Sequence, residues 1–123
     1  MAEFTRWEIY MLLNQNRPLF LPGIDLSGAN LKWTNLSEAN LNEANLSQAD
    51  LGRANLRNAE LYRANLSGAN LHGANLNNAD LRLADLSGAN LNGADLYLAR
   101  LEGADLSGAD LTEAKLPDGS RHR

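Results

Sequence analysis

Leucine recurs at every fifth position through most of this chain. In the stretch ANLSGANLHGANLNNADL, residues 64–81, each Leu also has an Ala two places before it. Five residues rotate an α-helix by about 140° beyond a full turn, so these leucines would scatter around a helix axis. In a straight strand they would fall on opposite faces in turn. The pattern therefore predicts a chain that bends once per pentad and stacks its bends into a solenoid.

The five-residue frame is unbroken over a long segment. Leu occupies every fifth position from Leu26 to Leu116, nineteen times without an insertion. The residue two places before it is Ala in seventeen cases, and the residue just before it is Asn or Asp in sixteen. With the degenerate pentad LFLPG, the repeat spans residues 19–118. We expect Leu and Ala to fill a narrow core and the small polar residues to form the outer corners.

A second period, of 20 residues, indicates how many pentads form one coil. Ser follows Leu at positions 27, 47, 67, 87 and 107, and only Ser37 lies outside this series. Residues stacked on one side recur at the coil period, so four pentads per coil are expected. A repeat of 100 residues then makes five coils. The cross-coil pairs expected from this period are Glu43 with Arg63, Asp80 with Arg100, Arg82 with Glu102, and Arg53 over Trp33.

The A(N/D)LXX pattern over residues 24–118 resembles that of the pentapeptide-repeat proteins. The resemblance implies an all-β fold, a right-handed quadrilateral parallel β-helix or β-solenoid, with the central Leu and the preceding Ala pointing inward. It leaves the function open. Some members confer quinolone resistance, resemble B-form DNA and bind gyrase, whereas many others have no assigned activity.

The segment before the repeat predicts an α-helical cap. Thr5 and Glu8 form a T-x-x-E capping box, and Phe4 with Ile9 are placed for a hydrophobic staple, so a helix is expected from about residue 6 to before Pro18. Its apolar residues are too many for a solvated helix and are expected to cover the first coil: Trp7, Ile9, Tyr10, Met11, Leu12 and Leu13. The predicted organisation is a capping helix at 1–18, the β-solenoid at 19–118 and a flexible tail at 119–123.

Composition narrows the possible chemistry. The net charge is −4 and there is no Cys, which excludes disulfides and thiolate sites. The chain shows neither a signal peptide nor a membrane span, so a cytoplasmic protein without membrane contact is expected. His72 falls on an outward corner and His122 in the tail, and Asp85 and Asp105 lie one coil apart without converging. We predict no enzymatic activity, no cofactor and no metal.

Bulky side chains interrupt the small outward residues on two neighbouring faces. Tyr, Arg and Leu are the side chains that protein interfaces favour. The alternative is that these side chains pair with each other across adjacent coils and only stabilise the solenoid. The candidate protein-binding patch comprises Arg57, Glu60, Tyr62, Arg63, Arg82, Leu83, Tyr97, Leu98 and Arg100.

Three functions are compatible with these features. The leading interpretation is a noncatalytic structural or protein-binding module with an unknown protein partner and no direct nucleic acid binding. The alternative is a DNA mimic that binds a topoisomerase or another basic DNA-binding protein, because residues 84–118 carry a charge of −5 against −1 for residues 24–83. A third interpretation takes the serine series as a template for ordered water or ice.

The carboxyl end of the repeat lacks an evident cap. Only PDGSRHR follows Leu116, so the leucines of the last coil are expected to lose half of their contacts. An open coil edge also offers unpaired backbone groups. A homodimer through the C-terminal coils is therefore expected, and the competing possibility is a monomer whose tail folds back across the axis.

Overall fold

The computed structural model describes residues 5–123, and its turns stack through parallel backbone pairing. Parallel bridges join residues that are 20 apart, from Phe20 with Asn40 to Asp95 with Lys115. The prediction that residues 20 apart face each other on adjacent turns is confirmed. Within the described part of the chain the bridges remain isolated and do not lengthen into strands.

A tight turn in each pentad explains why no strand extends further. From the pentad of Leu21 to that of Leu111, the second residue after Leu has a φ between 56° and 76°. The next N–H then donates to the carbonyl of that Leu, as Ala69 does to Leu66 at 3.0 Å. A positive φ at the third residue of such a four-residue turn is the type II geometry. The chain thus changes direction after every Leu, which leaves room for one bridge residue per pentad.

The leucines form a continuous column along the axis. Every Leu of the frame from Leu26 to Leu96 has an exposed fraction of 0%. Each buried side chain contributes about 1.5 to 3 kcal/mol through the hydrophobic effect. The predicted inward direction of Leu is therefore confirmed. Leu101, Leu106 and Leu111 are only half-buried, because no further turn covers them.

The helix α1 spans Arg6–Leu13 and begins at the predicted capping box. The Glu8 N–H donates to Thr5 Oγ1 at 3.1 Å, and the Thr5 N–H donates to Glu8 Oε1 at 3.0 Å. Phe4, the expected partner of the staple, lies outside the described residues, as does the side chain of Trp7. Residues 5–123 include no helix with the length and apolar character that crossing a membrane requires.

One face of α1 packs on the core of the solenoid. Ile9, Leu12 and Leu13 are half-buried against the leucine column. Tyr10 and Met11 are 56% and 53% exposed. Only part of the predicted apolar set therefore faces the first coil, because residues at i, i+3 and i+4 share one side of a helix.

The last five residues turn back on the final coil. Lys115 and Arg121 form an antiparallel bridge, and the His122 N–H donates to the Ala114 carbonyl at 2.8 Å. The Glu113 N–H donates in turn to the His122 carbonyl at 2.7 Å. The segment expected as a flexible tail thus makes defined backbone hydrogen bonds along one side of the open edge.

Candidate interaction surfaces

The Asn or Asp before each Leu supports the backbone at the corner. Its Oδ1 accepts the N–H two residues further on, as Asn65 does from Ser67 at 3.0 Å and Asp85 from Ser87 at 2.9 Å. The other N–H groups of such a pentad pair with neighbouring turns or within the type II turn. The corner side chain therefore satisfies the remaining backbone donor. Asp85 and Asp105 act in this way on separate corners.

The serine series makes a second bond to the same corner. The Ser67 hydroxyl donates to Asn65 Oδ1 at 2.7 Å, and the Ser87 hydroxyl donates to Asp85 Oδ1 at 2.6 Å. Ser37, which lies outside the series, makes the same bond. These O–H donors are occupied within their own pentads. This weighs against the interpretation of the series as a water or ice template.

Several carboxyl groups are held in their charged form by these corners. The hydroxyl and then the backbone N–H of Ser107 keep the pKa of Asp105 below its ordinary value. Thr112 lowers the pKa of Asp110 in the same way, and Ser120 lowers that of Asp118. The C-terminal coil therefore presents a set of stable negative charges.

Three residues of the candidate patch form a compact cluster around Tyr62. The guanidinium carbons of Arg82 and Arg63 lie 5.2 Å and 5.5 Å from the centre of the Tyr62 ring. Arg82 also pairs with Asp80, with Nε 2.8 Å from Oδ1 and Nη2 2.7 Å from Oδ2. Asp80 is the hydrogen-bonded partner, because it stands on the same corner and its two oxygens accept two of the guanidinium N–H groups. Glu102, the expected cross-coil partner, also acts on the Arg82 charge and, after the hydrogen bond with Asp80, helps to raise the pKa of Arg82.

Two leucines of the patch stand out from the rest of the surface. Leu83 is 47% exposed and Leu98 is 52% exposed, and their φ values are 59° and 63°. A side chain with a Cβ pays roughly 1 to 2 kcal/mol in this left-handed conformation. Gly occupies the equivalent turn position in eight other pentads from Gly23 to Gly108.

The leucines have different surroundings. A Cβ built on Gly103 would come within 2.5 Å of the Leu83 side chain, so this Leu lies directly over the glycine of the next turn. Tyr97, beside Leu98 in the chain, has the Lys115 Nζ 4.8 Å from its ring centre. Arg57, Glu60 and Arg100 are exposed on the same two sides of the rod.

A second feature, outside the predicted patch, surrounds Trp33. Arg53 lies over the Trp33 ring with 5.5 Å between its guanidinium carbon and the ring centre, which confirms the expected cross-coil pair. Beside this pair is an open cleft of about 400 Å³ whose lining includes Lys32, Gly52 and His72. The sequence analysis did not identify this Trp33 cleft. The sequence signal for a cleft was Gly52. It directly follows Leu51, at a position where most pentads carry a polar or larger side chain.

The described residues show no cluster of metal-ligating side chains. Among residues 5–123, no three His, Asp or Glu side chains are grouped as ligands of one ion would be. The two histidines, His72 and His122, stand on different parts of the rod, one beside the Trp33 cleft and the other in the tail.

Comparison with known proteins identifies the repeat. The family model for pentapeptide repeats matches the chain in eight copies within residues 24–62, 39–78, 64–103 and 79–118. A comparison with curated proteins finds no significant match.

Solved structures of the same family resemble this chain. One is a pentapeptide repeat protein from the Arabidopsis thaliana thylakoid lumen, with a TM-score of 0.77, 35% identity, and coverage of 80% of this chain and 68% of that one. Another is from the cyanobacterium Cyanothece, with a TM-score of 0.75, 39% identity, and coverage of 79% and 67%.

A third structure is HetL, a pentapeptide repeat protein from Nostoc involved in heterocyst differentiation regulation. Its TM-score is 0.56 at 40% identity, and the match covers 84% of this chain and 49% of HetL, so this chain spans about half of that protein. The chain belongs to the pentapeptide-repeat family. Its fold is accordingly the right-handed quadrilateral β-helix that these relatives share.

Proposed function

We propose that this protein is a noncatalytic protein-binding module whose partner docks on the candidate patch. The observation that carries the proposal is the exposure of Leu83 and Leu98 at left-handed turn positions. Gly would serve the turn better at both places, since it has no Cβ to clash. Of the nineteen turn positions from Gly23 to Glu113, eleven carry a side chain, and Leu83 and Leu98 are the two aliphatic ones among them, which supports a role outside the fold.

The chemistry of the patch indicates what the partner must present. The patch contains four arginines and one glutamate on a chain whose net charge is −4. One of the arginines, Arg82, is already paired with Asp80. The other three, Arg57, Arg63 and Arg100, are exposed on the same two sides of the rod as Leu83 and Leu98. A protein surface with an apolar centre and a carboxylate rim fits this arrangement.

Glycine substitution separates binding from folding. The double variant Leu83→Gly with Leu98→Gly removes both side chains while it retains the left-handed turns. The variant Gln48→Gly is a matched control, because Gln48 is an exposed turn residue with φ 60° whose column of turn positions, with Gly68 and Gly88, contains no patch residue. We expect an interacting protein to be captured by the wild type and by the control but not by the double variant. Capture by all three chains would exclude the patch.

We further propose that α1 caps a solenoid of five coils. Residues 19–118 number 100, and a bridge period of 20 gives 100/20 = 5 coils. The first coil is supported by Ile9, Leu12 and Leu13. Arg17 Nη1 donates to the Asn35 carbonyl at 2.7 Å, which pairs one acceptor at the amino-terminal edge.

The carboxyl-terminal edge supports a proposal of self-association. In earlier coils, the N–H groups of Leu and of the second residue after it donate to the next coil. Among the described residues of the last coil, five such groups make no backbone hydrogen bond: those of Leu101, Gly103, Leu106, Gly108 and Leu111. We propose that two chains meet here around a two-fold axis, which hides the edge without propagating a fibre.

A second candidate function rests on the charge of the same coil. Hydrogen bonds keep the pKa values of Asp105, Asp110 and Asp118 below their ordinary values, so this coil keeps its negative charge to a lower pH than free carboxyl groups would. A DNA mimic that binds a topoisomerase or another basic protein would use such a surface. Inhibition of supercoiling by purified gyrase, relieved by Asp105→Asn with Asp110→Asn, would support it. Unchanged supercoiling at high protein excess would exclude gyrase as the target.

A further inference from the structure

We propose that the Trp33 cleft binds a small organic anion, namely a phosphate ester that carries a planar ring. The cleft lies on a different side of the rod from the candidate patch, so this inference does not rest on the proposed protein-binding function. It depends on three observations: the left-handed backbone conformation of Trp33, the basic side chains of the lining, and the hydrogen bonds that already pair the polar groups at the floor.

Trp33 is the largest side chain at any of the left-handed turn positions. Its φ is 64°, and 69% of its surface is exposed although Arg53 lies over the ring. A bulky residue in this conformation is strained, and an exposed indole gains little from burial. Its accessible ring surface is available to stack on another planar ring, which is a favourable contact for Trp.

The lining of the cleft is basic although the chain is acidic. Lys32 and Arg53 carry positive charge in the lining, with His72 beside them, and the neighbouring Asp50 carboxylate already accepts hydrogen bonds from Asn70 and from the Gly52 N–H. Arg53 is held over Gly73, where a Cβ would meet its Cγ at 3.2 Å. The guanidinium is therefore positioned between Trp33 and the next turn. An Arg fork and a Lys ammonium together suit a phosphate group.

The polar groups at the floor are already paired with one another. The Asn70 amide donates to Asp50 Oδ1 at 3.1 Å, and the Gly52 N–H donates to the same oxygen at 3.0 Å. Asn70 Oδ1 accepts the His72 N–H at 3.0 Å and faces the Asn90 amide at 3.4 Å. The side chains left to bind a ligand are mainly the basic ones, which favours an anion.

Gly52 gives the cleft its depth. It is buried, and a Cβ at this position would lie 3.1 Å from Asp50 Oδ1 and 3.5 Å from Lys32 Cγ. Any side chain here would crowd the space between Lys32 and His72, which occupy the equivalent positions on the adjacent turns. The volume of about 400 Å³ falls in the range of small-molecule sites.

The test uses the full chain with adenosine monophosphate as the probe, and adenosine and inorganic phosphate as separate arms. The chain has two Trp residues, so its indole N–H spectrum has two peaks that Trp33→Phe assigns. We expect adenosine monophosphate to shift the Trp33 peak and leave that of Trp7 in place. Adenosine alone and phosphate alone should bind at least about tenfold more weakly, since each lacks one of the two contacts.

Two charge-matched variants complete the experiment. Arg53→Gln should weaken binding about tenfold, because it removes a charge-assisted hydrogen bond. Arg123→Gln removes the same charge from the chain end and should leave the affinity unchanged. An unchanged backbone amide spectrum shows that both variants are folded. The proposal is overturned by the absence of a Trp33 shift at millimolar ligand, by equal affinities of the two variants, or by equal binding of phosphate alone, which would indicate an adventitious ion only.

Discussion

The side chain of Asn42 accepts a hydrogen bond from the backbone N–H of Tyr62, one full turn further along the solenoid, at 2.9 Å. In most pentads this N–H is bound by the Asn or Asp two residues earlier, but that place holds Glu60. The Glu60 carboxylate instead accepts from the Asn42 amide at 3.3 Å. Asn42 therefore takes over the corner role that the longer Glu side chain does not fill.

A variant without the Asn42 side chain tests whether Asn42 serves as the acceptor for the Tyr62 N–H. Asn42→Ala leaves the Tyr62 N–H unpaired, and we expect a loss of about 1 to 3 kcal/mol in the free energy of unfolding, measured by urea denaturation. Asn92→Ala, at the equivalent outward position of a pentad whose corner is Asn90, is the control and should cost little. Adding Glu60→Asn to Asn42→Ala should restore stability, and a failure of this rescue would contradict the assignment.

The same rule explains two prolines that the sequence analysis did not interpret. Phe20 and Lys115 occupy corner positions without a suitable acceptor, and the residues two places on are Pro22 and Pro117. Proline has no N–H, so no acceptor is needed at either corner. The rule becomes visible only when the hydrogen bonds of a pentad are known, although its signal is present in the sequence.

The acidic corners should make stability sensitive to acid. The pKa of Asp105 is lower in the folded chain than its ordinary value, so its contribution is present above the unfolded pKa and is lost as the pH falls through the folded pKa. Asp105→Asn retains the acceptor oxygen without the titration. We expect the variant to lose less stability than the wild type between about pH 6 and pH 3.

An NMR titration that follows the carboxyl carbon of Asp105 identifies the group that lowers its pKa. The Ser107 hydroxyl is the largest contributor and the Ser107 backbone N–H the second. In Ser107→Ala the pKa of Asp105 should therefore rise toward its ordinary value without reaching it. An unchanged pKa would show that the hydroxyl does not hold the charge.

Two leucines of one column test how burial declines toward the open edge. Leu66 is fully buried, whereas Leu106, two turns later at the same position, is half-buried. Leu66→Ala should cost about 2 to 5 kcal/mol of unfolding free energy. Leu106→Ala should cost less than half as much when both variants are made in the Leu111→Arg background, which keeps the chain monomeric, because the Leu106 side chain contacts solvent there. Equal losses in that background would contradict the decline of burial toward the edge.

Self-association at that edge predicts the mass of the protein in solution. Light scattering after size exclusion should give twice the chain mass of 13.4 kDa. Leu111→Arg introduces a charge at the edge and should return the mass to that of one chain. A mass of 13.4 kDa for the wild type at all concentrations would exclude the dimer.

The sequence predicted the parts of the structure that repeat and missed those that depend on side-chain reach. The 20-residue pairing of Asp80 with Arg100 follows from the period alone, since each turn is alike. That Arg82 makes its hydrogen bonds to Asp80, with Glu102 acting only through its charge, depends on rotamers and on the distance within one corner. A tail that folds back was one of the two possibilities in the sequence analysis, but its antiparallel pairing of Arg121 with Lys115 could not be predicted, because the tail carries no repeat.

The Trp33 cleft and the left-handed conformation of the two exposed leucines could not be predicted from the five-residue pattern either. Their positions in the pentad were known, but the positive φ of that position was not, so Trp33, Leu83 and Leu98 were judged only by side-chain type and by face. Eight glycines at the same place were the available signal, because glycine is favoured where φ is positive.

The central claim is that Leu83 and Leu98 serve binding and not the fold. The most direct test is to measure the free energy of unfolding and the capture of a partner on the same double variant, Leu83→Gly with Leu98→Gly. We expect the free energy of unfolding to stay within about 1 kcal/mol of the wild type, because relief of the left-handed strain offsets the entropy of glycine. Capture of the partner should be lost, whereas Gln48→Gly should retain it. Retained capture by the double variant, or a loss of several kcal/mol of stability, would contradict the claim.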